Sequence, residues 1–163
     1  MNAKDIVACI RHVFDSWDRR PTPPARLDHA EPWYTESYNC HRRLSAYTWR
    51  TLSEKMDIVG LADIAPLLTN DEMQCFLPAI LAMLLEHGDA NHVNDIAIVL
   101  CPPGKKSQAA RLNADLSCYS REQRASVADA LEAVSSMHED DGVHHRVRQR
   151  LRQVSINIRS AVK

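Results

Sequence analysis

Along most of this chain apolar residues recur at three-and-four spacing, the pattern of helices that turn one face to a core. Ile6, Ile10, Val13 and Trp17 form a narrow stripe that Val7 and Phe14 widen, and this predicts a first helix ended by Pro21. The following segment, residues 21–33 (PTPPARLDHAEPW), holds four of the eight prolines and is expected to be a connector, because proline lacks the amide donor that a helix needs. From 34 to 55 the period is less clean. Tyr38, Leu44, Tyr47, Trp49 and Leu52 suggest one broken helix or two short ones.

The stretch 67–88, LLTNDEMQCFLPAILAMLLEHG, carries the strongest helix signal. Thr69 is placed to cap the helix, Glu72 three residues later can bond back to the cap amide, and Asp71 and Glu72 suit the positive end of the helix dipole. Met73, Phe76, Leu77, Ile80, Leu81, Leu84 and Leu85 share the helix with Ala79, Ala82 and Met83, leaving almost no polar face. Such a helix belongs at the centre of its domain. Pro78 should remove the bond to the carbonyl of Gln74 and kink the rod, unless it opens a second helix. Gly88 falls where a C-cap is expected.

Residues 92–101 fit a helix through Val93, Ile96, Ala97 and Leu100, although IAIVLC could also form a buried strand. Helix is the expectation, since no second strand offers itself to pair with it. A loop is expected over 102–119, and Ser120 with Gln123 then forms a second capping box before a helix carrying Val127, Leu131 and Val134. After a polar turn, Val143, Val147, Leu151, Val154, Ile158 and Val162 mark a last amphipathic helix over 143–163. These elements predict an all-α chain: one compact helical domain, 1–163, of about six or seven helices around a central Pro-kinked apolar helix.

Composition agrees with this picture. A chain of 163 residues with 45% hydrophobic and 25% charged residues is ordinary for one globular domain, and four glycines are too few for a fold with many tight turns. The run 75–85 falls short of the roughly 18–20 apolar residues of a membrane span. The N-terminal segment mixes acids with its apolar residues, unlike a secretion signal. Five cysteines without a CxxC pair fit a reducing compartment, so a soluble cytoplasmic protein is expected.

Charge is unevenly distributed. Six of the 20 Lys and Arg residues and none of the 21 acids lie in 143–163, which therefore carries +6 while the remainder carries −7. Arg148, Arg152, Arg159 and Lys163, with His145, are expected on an outward stripe that could follow phosphates. The alternative, an acidic body and a basic helix that satisfy each other or face water, is weighted more heavily. Ile156 interrupts the polar face and is a candidate partner contact.

Candidate chemistry is sparse. His138, His144 and His145 lie with three carboxylates in one short segment, the donor types that zinc or nickel takes, but in no known ligand spacing, so a structural turn is favoured and no metal is assigned. Cys40 and His41 are adjacent and should point apart on a helix, which argues against a nucleophile–base pair; Cys9 and Cys75 are expected to be buried, Cys75 as a small core residue. No Gly-rich phosphate loop, GxSxG elbow or paired-carboxylate motif occurs, and no cofactor is expected. Trp33, Tyr34, Tyr38, Tyr47 and Trp49 gather five of the nine aromatic residues, and any left exposed would mark a protein contact.

Tyr47-Thr-Trp49-Arg-Thr-Leu52, the capped helix running into Phe76-Leu77-Pro78-Ala79, Leu100-Cys-Pro102, and Tyr119-Ser120-Arg-Glu-Gln123 together resemble a family of small bacterial proteins of unknown function. The resemblance spans roughly 38–137 and implies a bacterial, mostly helical domain. It brings no activity and no site residues, and the basic helix lies outside it. The expected function is a non-enzymatic cytoplasmic protein-binding module, most concretely an immunity or antitoxin-like protein that occludes a toxin. Trp33, Tyr34, Tyr38, Arg148, Arg152, Ile156, Arg159 and Lys163 are its candidate contacts. Nucleic-acid binding through the basic helix and a metal-dependent enzyme at the His-rich turn are the alternatives.

Overall fold

A computed structural model describes residues 2–25, 32–100, 116–137 and 145–162. Among these, eight α-helices occur and no strand: α1 (Ala3–Val13), α2 (Pro32–Leu44), α3 (Trp49–Lys55), α4 (Ile58–Ile64), α5 (Asn70–His87), α6 (Ala90–Leu100), α7 (Arg121–Ser136) and α8 (His145–Val162). Short 3-10 turns, Ala65–Leu67 and Leu116–Cys118, precede α5 and α7. The all-α expectation holds, with one helix more than the upper expected count. No helix among the described residues is long and apolar enough to cross a membrane.

Helix α5 is the centre. Every residue from Cys75 to Leu85 is buried, and α1, α3, α4 and α7 all pack against it. The helix runs without interruption through Pro78, so the proline opens no second helix. Its start is the expected capping box: Glu72 N–H donates to Thr69 Oγ1 (3.2 Å), and Thr69 N–H donates to the Glu72 carboxylate (2.8 Å). At its end Gly88 N–H donates to Leu84 O (2.9 Å), which makes Gly88 the C-cap. There φ is −71°, so glycine is needed for space: an added Cβ would sit 2.6 Å from Leu84 O.

Helices α7 and α8 form the most extensive pair, and α1 lies across both α5 and α7. Of the predicted stripe of α8, Val147, Leu151, Val154 and Ile158 are all in the core, while Val143 and the side chain of Val162 fall outside the described set. Close approach of the pair is fixed by buried Ser155, whose hydroxyl donates to Ala128 O (2.8 Å). The Ser120–Gln123 box starts α7 as expected, with bonds of 2.9 and 3.1 Å.

Residues 90–100 are helical, which settles helix against strand. The segment 34–55 contains two helices, separated where Thr48 caps α3. Three boundaries differ from expectation. Helix α1 stops at Val13, well before Pro21, because Phe14 O accepts the Trp17 N–H (3.0 Å) in a tight turn and also the Trp49 indole N–H (3.2 Å). Trp17 therefore lies beyond the helix, yet its ring still packs edge-on to Tyr119 at 5.1 Å. The connector ends before 33, because Pro32 begins α2, a position where its missing N–H costs nothing, and residues 26–31 of it lie outside the described residues. Of the expected loop 102–119, residues 102–115 lie outside the described residues, and Leu116–Cys118 form a 3-10 turn with Leu116 and Tyr119 anchored in the core.

Candidate protein-binding groove

The last turn of α1, the turn after it, α3, the α3–α4 junction and the end of α5 converge on a groove of about 770 Å³. Trp49 and Met83 form its buried floor, and Met56 and Ile58 add half-buried apolar wall. Two ion pairs stand at the rim. Arg11 Nη2 donates to both carboxylate oxygens of Glu86 (2.8 and 2.9 Å), joining α1 to α5. Arg50 Nη2 pairs with the Asp15 carboxylate and donates to Asp15 O (2.8 Å), joining α3 to the turn after α1. The Arg50 guanidinium also lies 5.5 Å from the centroid of the Trp49 ring, close enough for a cation–π contact. Asp57 contributes a further carboxylate, held by Gly60 N–H (2.8 Å) as the cap of α4.

A second polar cluster sits at the start of α5. Glu72, only 2% exposed, receives Thr69 N–H and the Nδ1–H of His41 (2.8 and 3.0 Å), which ties α2 to α5. Asp71 receives Arg19 Nη2 (2.6 Å) and Thr22 N–H (2.5 Å). The neighbouring thiols are not activated. Burial, then the charge of Asp71, pushes Cys75 up to about 12, and burial followed by Glu72 raises Cys40. Both remain thiols near neutral pH, and His41 is engaged by Glu72. Cys9 and Cys40 are half-buried; Cys75 alone of the three lies in the core.

The basic helix is less outward-facing than its pattern suggests. Arg159 bridges Asp129 (2.6 Å) and Glu132 (2.5 Å) of α7, Arg152 Nε donates to Ser135 Oγ (3.3 Å), and Arg148 is half-buried. Long arginine stems at the edge of a packed stripe can reach back across it to a neighbouring helix, which a helical-wheel projection does not capture. Ile156 is 54% exposed, as expected of a candidate contact. His145 is the exposed first residue of α8, whereas His138, His144 and Lys163 lie outside the described residues. Of the clustered aromatics, Trp49 is core, and Tyr38 and Tyr47 are half-buried. The side chains of Trp33 and Tyr34 lie outside the described set.

The groove residues Arg11, Asp15, Arg50 and Glu86 carried no recognisable motif. The one local hint is Arg11 between Ile10 and Val13, and its partner lies 75 positions away. The chain matches no protein-family model, no curated protein and no solved structure.

Proposed function

We propose that the chain is a non-enzymatic protein-binding module whose partner seats in the groove between α1, α3 and the end of α5. The observation that supports this most is the rim itself. Arginines and carboxylates with side-chain exposures of 59%/30% (Arg11/Glu86) and 47%/76% (Arg50/Asp15) surround an apolar floor that includes Trp49. Exposed pairs of this kind are worth only about 0–1 kcal/mol, so either partner can be exchanged for a charge on another protein at little cost. Arginine and tryptophan are also the residue types that dominate interface energetics.

In its finer form the proposal is a bacterial cytoplasmic immunity or antitoxin-like protein, with the occluded partner a toxin. The acidic excess outside the last helix would then steer a cationic partner toward the groove. Arg159 and Arg152 already have partners on α7, which favours protein binding over the nucleic-acid alternative. Copurification at low salt from the native host tests the proposal. The wild-type chain should bring down one stoichiometric protein, and a folded R11E/R50E chain should lose it. Absence of such a partner, or its equal retention by the variant, contradicts the proposal.

A further inference from the structure

We propose that a second cavity, between α2, α3 and α4, is a binding site for a small carboxylic acid with an apolar tail. The cavity holds about 310 Å³, at the lower end of the range of about 300–1,000 Å³ for small-molecule pockets, so a short-chain or single-ring acid suits it. Leu44, Tyr47, Met56 and Ile64 make its wall apolar. Among the described residues, Arg43 from α2 and Lys55 from the end of α3 supply two cations, against one acid, Glu36. Among the described residues neither cation takes part in an ion pair, in contrast to Arg11, Arg19, Arg50 and Arg159. Apolar wall and unpaired cations side by side are complementary to one ligand chemistry: a hydrocarbon body that enters the cavity and a carboxylate that stays at the cationic rim.

Cys40 also lines the cavity and reports on its occupancy. The full-length chain is alkylated with iodoacetamide at pH 8, with octanoate or 1-octanol present, and modification of the Cys40 peptide is followed by mass spectrometry. Cys9 on α1, outside the cavity, is the internal control. Octanoate should slow Cys40 saturably and leave Cys9 unchanged, and 1-octanol should protect at least about tenfold more weakly, since it lacks the charge that a cation would bind. R43E/K55E alters two exposed side chains and should lose the octanoate protection while keeping its far-UV spectrum and melting temperature. An unchanged Cys40 rate with octanoate, equal protection by 1-octanol, or undiminished protection in the folded variant would overturn the proposal.

Discussion

The hydroxyl of Tyr119 donates to the carbonyl oxygen of Gln74, the carbonyl of α5 that Pro78 leaves without its helical N–H partner. A proline inside a buried helix thus has its missing bond supplied by a side chain 45 positions away in sequence. Tyr119 is itself held edge-on against Phe14 and Trp17, each with ring centroids 5.1 Å from its own, so the donor is fixed in place by packing.

Removing the hydroxyl therefore leaves a buried acceptor unsatisfied. Y119F should lower stability by about 1–3 kcal/mol in urea denaturation. P78A restores an N–H beneath Gln74 O, so it should recover much of that loss in the Y119F background. Additive effects of the two substitutions in a double-mutant cycle would show that the bond does not compensate the proline.

Asp71 sets a pH dependence. Burial would push its carboxyl up, but the bonds from Thr22 and Arg19 outweigh this and hold it below the ordinary carboxylate value. A depressed native value means the stabilisation is complete above the unfolded value of about 3.9 and is lost as pH falls through the native one. D71N should thus be less stable than wild type at pH 6, and the difference should shrink as pH falls below about 4. A difference that is constant from pH 6 to 3 would remove Asp71 as the source.

Gly88 tests a steric requirement that its backbone angles do not reveal. With φ at −71° alanine is conformationally acceptable, yet its Cβ would meet Leu84 O at 2.6 Å and displace the bond that ends α5. G88A should destabilise by about 1–3 kcal/mol despite the smaller entropy of its unfolded chain. A neutral or stabilising result in thermal unfolding would mean that the turn relaxes freely.

What could be read from the sequence follows the reach of each interaction. The Thr69–Glu72 and Ser120–Gln123 boxes and the Val147–Leu151–Val154–Ile158 stripe depend on neighbours three or four positions away, and all are present as expected. The end of α1 was misplaced because Trp49 reaches its last turn from 35 positions away, and its carbonyl bond has no local signature. The groove was missed for the same reason, since Arg11–Glu86 and Arg50–Asp15 meet only once α1, α3 and α5 have packed. Proximity in sequence misled in one case. The concentration of aromatics before α3 drew attention from Phe14, Trp17 and Tyr119, which form the aromatic cluster. For the basic helix, the more heavily weighted reading is that it and the acidic body satisfy each other or face water, and Arg159 pairs with Asp129 and Glu132 of α7.

The central claim, that a protein partner occupies the groove, is tested most directly by photocrosslinking in native cells. A photoreactive residue replaces Ser53, which is exposed and lines the groove, or Gln153, which is exposed on α8 away from it. The claim predicts one discrete crosslinked protein from position 53 and none from position 153. No discrete product from position 53, or the same product from both, would contradict it.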